Sequence, residues 1–413
     1  MNIMKKKRTT VISIMIIFTV LLLTGCETFN NFRAMFVETE EELDSVIRIG
    51  VFQPLSGPHQ RYGDFERRGI ELAHELFPTV LGKDVELVFA DNRSDIHIAE
   101  VAIQNLISRN PVIVLGSYGE IFSLIAAEFL EKARIPAIAI SNSNWLVTSS
   151  NPYYFRVRFV ESFEGVAVAR FVVEHLDVST VAIFQPANDD AAIAVSQAFG
   201  DTMIRLTENP DVIVSAQDFD PANEDFRPQL RHIRHSGAEV VFLPANIEVA
   251  AEILIQAKEV DLDAVFLGIS TWDTLELIEL AGEAAEGIAF STIFDPYAGV
   301  TEMTEVFLNA YREKYGEDAI PHHFVALAFD AYLVAIDAIE RAGRVDVVQL
   351  ILRALSETVD FHGATGSITF DERGDPIKTV VIMTVRNGEI VATYAVDPVI
   401  YDDDEYNFDD IMW

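Results

Sequence analysis

A regular alternation of short β-rich runs with helix-spaced segments starts at Val46 and limits the folds open to this chain more than any other feature. Residues 47–52 form a β-rich run, residues 64–76 carry Phe65, Ile70, Leu72, Ala73 and Leu76 at helical spacing, and residues 85–89 read as a second strand. Asp95 stands where an N-cap belongs, ahead of a helix over 96–108. Strand 112–115 closes at Gly116, and helix 121–133 and strand 137–140 follow. Strands separated by whole helices cannot pair as hairpins. They lie parallel, with helices covering both faces of the sheet.

The same order restarts after Phe163. A helix runs to about Leu176, strands occupy 180–184, 212–216, 240–243 and 264–267, and helices occupy 191–206, 226–235, 248–259 and 273–281. One sheet holding all these strands would be too wide, so the pattern predicts two. Ile49-Gly-Val-Phe-Gln-Pro54 and Val181-Ala-Ile-Phe-Gln-Pro186 both end a first strand in Phe-Gln-Pro, which is consistent with duplication. Beyond Gly287 the order changes: an extended crossover over 287–293, helices 302–315, 324–342 and 345–358, then strands 366–370, 379–386 and 389–394. The predicted class is α/β, with two parallel-sheet lobes, the chain returning to lobe one before it finishes in lobe two. Lobe one takes 46–161 with 292–362, and lobe two takes 162–291 with 363–400. At roughly 100–200 residues per domain, 413 residues agree with two.

Charge and motifs exclude several functions. The chain carries 65 Asp plus Glu against 30 Lys plus Arg, a formal charge of −35, and such a surface repels phosphate backbones, so no nucleic-acid partner is expected. No G-x-G, G-x-x-x-x-G-K-[ST] or G-x-S-x-G occurs, so no dinucleotide fingerprint, phosphate cradle or nucleophile elbow is available. His232 with His235 and His322 with His323 lack obvious further ligands for a metal. No cofactor and no catalysis are expected.

The first residues read as an export signal. Lys5-Lys6-Lys7-Arg8 precedes an apolar stretch over 11–23, shorter than the roughly 20 residues a membrane-spanning helix needs. It ends Leu23-Thr24-Gly25-Cys26, which resembles the lipobox of bacterial lipoproteins. That resemblance implies a signal peptide over 1–25, lipidation of Cys26, the only cysteine of the chain, and a cell-envelope location anchored to a membrane. Loss of the four basic residues would take the charge from −35 to −39. Residues 26–45 then serve as a tether and 401–413 as a solvated acidic tail.

The stretches IGVFQPLSGPHQRYGDFERRGIELAHEL from Ile49, DNRSD from Asp91, NPYYFRV from Asn151, PHHFVALAFDAY from Pro321 and GATGSITFDERGDP from Gly363 resemble, in this order, the substrate-binding proteins of branched-chain amino acid ABC transporters. The resemblance implies the type I periplasmic-binding-protein fold, two doubly wound parallel-sheet lobes joined by hinge crossovers near 159–163, 290–294 and 361–363, closing on a small molecule and docking on ABC permease subunits; a monomer is expected. Carried over position by position, it makes Tyr62 an aromatic wall. It also makes the Gly116-to-Glu120 loop, with Ser117 and Tyr118, a carboxylate-holding loop in which Glu120 stands at the serine position. Ser141 and Ser143 are the best-kept pair. In lobe two the usual Tyr-Gly becomes Asp190-Ala191, a second aromatic becomes Asn246, the amino-receiving acid falls at Ser270 with Asp273 nearby, and Phe324 lines the pocket. The α-amino-acid clamp is incomplete at both ends, and acids at two binding positions favour a neutral or cation-bearing ligand. Two readings stay open: a solute receptor for an importer, and a lipoprotein of the same fold acting as a regulatory or protein-interaction module. Replacing Cys26 with Ser should move the protein from the membrane to the soluble fraction on cell fractionation; continued membrane retention would count against lipidation.

Overall fold

The computed structural model describes residues 46–149, 151–176, 178–297 and 301–396; the signal, Cys26, the tether and the acidic tail fall outside them. The first sheet is built from β1 (Val46–Gln53), β2 (Thr79–Val80), β3 (Lys83–Asp91), β4 (Ile113–Leu115), β5 (Ala137–Ala139) and β6 (Tyr154–Arg156), in the order β2-β3-β1-β4-β5-β6. All its pairings are parallel except β2 with β3. Alternation along β1 sends Ile47, Ile49 and Val51 to one face and Phe52, with Val114 of β4, to the other. Helix α1 (Gln60–Leu76) covers the first face, while α2 (Ile96–Ile107) and α3 (Glu120–Ala133) cover the second through Ile103, Leu106, Phe122 and Leu130. Asp95 caps α2 as expected, accepting from His97 N at 2.9 Å and Ile98 N at 3.1 Å.

The chain then passes to the second lobe through α4 (Glu161–Phe171), which continues as a π-turn over Val172–Leu176. There β7 (Val181–Pro186), α5 (Asp190–Thr207), β8 (Ile213–Phe219), α6 (Arg227–Ser236), β9 (Val240–Phe242), α7 (Ile247–Glu259), β10 (Val265–Gly268) and α8 (Leu275–Ala281) follow in turn. The stretch expected as an extended crossover is in fact a strand, β11 (Ala289–Thr292), parallel to β10. Its far edge is free for an antiparallel partner, and the last part of the chain supplies one.

That return begins in lobe one. Helix α9 (Glu302–Tyr315) leads to α10 (His323–Ala342), which is buried on all sides over residues 324–335, the acid Asp330 included, because it is wedged between the first sheet, α1 and α11 (Val348–Ser356). Gly69 of α1 allows the close approach to α10: a Cβ there would lie 2.1 Å from the Val325 carbonyl oxygen. A small sheet of β12 (Phe361–Gly363), β13 (Gly366–Phe370) and β14 (Pro376–Lys378) follows, then β15 (Val380–Arg386) and β16 (Glu389–Val396). The last two form a hairpin whose turn residues Asn387 and Gly388 have φ of 55° and 74°, as a two-residue turn matched to strand twist requires. The second sheet thus runs β16-β15-β11-β10-β9-β7-β8, with its two final strands antiparallel.

In the first sheet β1 lies between β3 and β4, and in the second β7 lies between β8 and β9, so the order reverses beside β1 and beside β7. The two Phe-Gln-Pro echoes mark these reversal points, where loops diverge and leave a crevice. Arg156, fully buried at the end of β6, fastens one rim of that crevice. It pairs with Asp375 and donates to the carbonyl of Asn144 at 2.8 Å and to the Thr148 hydroxyl at 2.6 Å, while Thr148 in turn donates to Asp375 at 2.7 Å. Asp375→Ala would leave this guanidinium buried without its counter-ion and should cost about 3–5 kcal/mol of unfolding free energy in a urea titration.

Candidate functional site

The loops leaving β1, β4 and β5 meet at the first reversal point. Gly116 makes the close packing possible: at φ 111° it ends β4, and a Cβ there would lie 2.2 Å from the Phe52 carbonyl oxygen. Tyr62 of α1 stacks on Tyr118 with ring centroids 4.7 Å apart and planes 11° off parallel. Phe324 of α10 closes the group at 5.8 Å from Tyr118 and 6.2 Å from Tyr62. Three of the sequence-derived positions therefore form one aromatic wall. Burial, then the neighbouring Tyr62 and Glu66, push the Tyr118 hydroxyl up to about 12, so it stays a neutral donor.

Ser117 lies deeper than the wall. It is fully buried, its hydroxyl accepting from Asn92 at 2.8 Å and donating to the Tyr118 carbonyl at 3.0 Å, so it braces the loop. Glu120, the first residue of α3, turns to the loop after β5. Its carboxylate accepts from Ser143 N at 3.0 Å, Asn142 Nδ2 at 3.0 Å and Asn144 N at 3.4 Å. Ser141 is buried; its hydroxyl donates to Glu66, and its carbonyl accepts from Arg158 Nη1 at 2.9 Å.

Residues that sequence reasoning passed over organise this half of the site. Gln53, at the end of β1, donates to Glu66 at 2.5 Å and accepts from Tyr118 N at 3.0 Å, tying all three loops to one buried carboxyl. Glu66 follows Tyr62 by four places, on the helix face that also buries Gly69, Ile70 and Ala73. An acid on an otherwise buried stripe was the available signal. Burial pushes its carboxyl up to about 7 against the hydrogen bonds from Ser141 and Gln53, with nearby Glu120 adding to the rise.

From the second lobe, Ser270 follows β10 and is buried, giving its N–H to Glu164 Oε2 at 2.7 Å and its hydroxyl to Glu164 Oε1 at 2.9 Å. Ser291 donates to the same carboxylate at 2.7 Å. Arg158 Nη2 lies 3.3 Å from the Ser270 hydroxyl and 3.4 Å from Glu164, so one guanidinium touches loops of both sheets. The carboxyl ends of the two sheets therefore face each other across this residue. Asp273 accepts from Thr292 at 2.5 Å and lies 3.6 Å from His323 of α10, a second link between lobes. The adjacent His322 is held neutral, pushed down to about 2 by burial and then by His323 and Arg61; its ring accepts from Phe324 N at 3.2 Å as the cap of α10. Asp190 and Asn246 lie on the same rim of lobe two but are exposed: Asp190 opens α5 behind its cap Asp189, and Asn246 caps α7 by accepting from Val249 N at 3.0 Å.

Residues 46–389 match a family model described as periplasmic binding protein. A leucine-, isoleucine-, valine-, threonine- and alanine-binding protein of Pseudomonas aeruginosa is 24% identical over 337 residues, 80% of this chain and 87% of that protein. The crystal structure of a leucine-binding protein from Thermotoga maritima superposes with a TM-score of 0.70 at 32% identity, covering 85% of this chain and 99% of that one. A branched-chain amino acid transporter substrate-binding protein from Streptococcus pneumoniae, in complex with isoleucine, gives a TM-score of 0.68 at 27% identity, covering 86% and 100%.

The raised Glu66 carboxyl makes stability depend on pH with a definite sign. The folded state keeps this proton between about 4.5 and 7, where the unfolded chain has lost it, so the contribution is full at low pH and is lost as pH rises through 7. Glu66→Gln keeps the shape and removes the titration. Its stability relative to wild type, from urea titrations, should rise by roughly 2–3 kcal/mol between about pH 5 and pH 8; a difference independent of pH would show that Glu66 does not titrate there.

Proposed function

This chain belongs to the periplasmic binding protein family, and from that premise we propose that it is a lipid-anchored receptor that captures a small solute between its lobes and delivers it to the permease of an ABC importer. Membership places it outside the cytoplasm and among solute binders rather than enzymes. Anchoring through Cys26 would keep the receptor near the permease, with residues 26–45 as the spacer.

The ligand we propose is neutral or carries a positive group, such as an amide, a urea-like compound or an amine. One observation carries this reading: the Glu120 carboxylate already occupies the backbone donors of Ser143 and Asn144 and the side-chain amide of Asn142. An incoming carboxylate would have to displace a like charge from the same donors, which is unfavourable in a partly desolvated cleft. The formal charge of −35 also slows the approach of anions. The aromatic group of Tyr62, Tyr118 and Phe324 offers an apolar surface for the rest of the ligand.

Closure about the crossovers would bury such a ligand and give the permease a shape distinct from the empty one. A calorimetric panel of amides, amines and branched-chain amino acids, paired with small-angle scattering, tests the proposal. Binding of an amide or amine accompanied by a smaller radius of gyration is expected. Tight binding of leucine, isoleucine or valine with no response to amides or amines would overturn the ligand class.

A further inference from the structure

The loop after β5 is held by two side chains of opposite charge. Glu120 sits on the N–H groups of Ser143 and Asn144, and Arg158 sits on the carbonyl of Ser141. Backbone donors for a carboxylate and a carbonyl for an ammonium, two residues apart, are what a zwitterionic head group needs from such a loop. The chain supplies both charges itself. The neighbouring polar groups are also committed: the Ser141 hydroxyl to Glu66, the N–H and hydroxyl of Ser270 to Glu164, and the Thr292 hydroxyl to Asp273. The two charged residues are anchored outside the loop they serve, Glu120 at the start of α3 and Arg158 on the segment between β6 and α4, where it also reaches Ser270 and Glu164. Neither depends on a ligand to hold its place.

We infer that Glu120 and Arg158 are a specificity-determining pair, a built-in anion and a built-in cation that occupy this loop and exclude zwitterionic ligands, so that the cleft admits a solute uncharged where it meets the loop and read by the rings of Tyr62, Tyr118 and Phe324. This rests on the solute-receptor reading and narrows it from a neutral or cationic ligand to a neutral one at this loop. Discrimination here comes from filled positions rather than from added contacts.

The test is calorimetry on wild type, Glu120→Ser, Arg158→Ala and the double variant with four probes: leucine, N-acetylleucine, leucinamide and N-acetylleucinamide. Glu120→Ser frees donors and should raise affinity for N-acetylleucine, which has only the carboxylate, by about tenfold or more without helping leucinamide. Arg158→Ala frees the carbonyl and should do the reverse. The double variant should bind leucine, which wild type should not, and wild type should prefer the doubly blocked neutral probe. Leucine binding by wild type, or no gain by the double variant, overturns the pair's role. Should the double variant fail to melt cooperatively, the two single variants carry the test through their opposite preferences, and equal gains on both probes would overturn it. Wild-type scattering with the panel of the preceding subsection separately reads whether the protein closes on any solute. A wild type that never closes would remove the receptor role and leave the gain of leucine binding to decide the pair.

Discussion

In a parallel sheet every strand must end at the same rim, because each connection crosses back over a face before the next strand can start. This constraint places the loops after β1, β4 and β5 side by side, and those after β7, β9 and β10 likewise. With the rims turned toward each other, the polar ends of six strands share one space, and their backbone groups need partners. Arg158 meets that need across the gap, with one edge on the Ser141 carbonyl and the other near Ser270 and Glu164. The cleft is thus a place where the two lobes already interact.

Beneath it, polar side chains do the work that apolar packing does elsewhere. Gln53 and Glu66 are fully buried and connect three loops of lobe one, and Glu164 gathers Ser270 and Ser291 in lobe two. Such networks are favourable only when their members are paired, and pairing fixes loop positions more sharply than apolar contacts would. A rigid rim on each lobe is what hinge closure requires, since a loop that rearranged on its own would absorb the motion. The buried Arg156 with Asp375 and Thr148 plays the same part for residues 144–148, holding them against the turn before β14.

Much of the fold was readable from the sequence, for reasons visible in single elements. Asp95 announced α2 because an N-cap needs a short acceptor at that place. The apolar runs of β4, β5 and β7 are continuous because both faces of their sheets are covered. Helix α1 begins at Gln60 rather than at Asp64, since Gly63, which reads locally as a breaker, is there to let the helix approach the Pro54 carbonyl. Strand β11 has the composition of any extended stretch, and only its partners β10 and β15 make it part of a sheet. At the site, Tyr62, Tyr118, Glu120, Ser141 and Ser143 could be named from position in the chain. Arg158 and Glu164 could not, because their importance comes from a crossover that brings distant strand ends to them.

The sequence by itself determined the parallel α/β class, the division into two sheets and the acid at position 120, since periodicity, capping and composition are local and survive in a one-dimensional reading. Tertiary structure alone decided what those residues do. The carboxylate of Glu120 could have faced a ligand or water, and it is the packing of α3 beside the loop after β5 that sets it on Ser143 N. The role of Arg158 likewise depends on two sheets meeting rim to rim, and the proton held by Glu66 depends on its depth beneath them. Hydrogen-bond partnership and desolvation are properties of neighbours in space, and a linear pattern does not contain them.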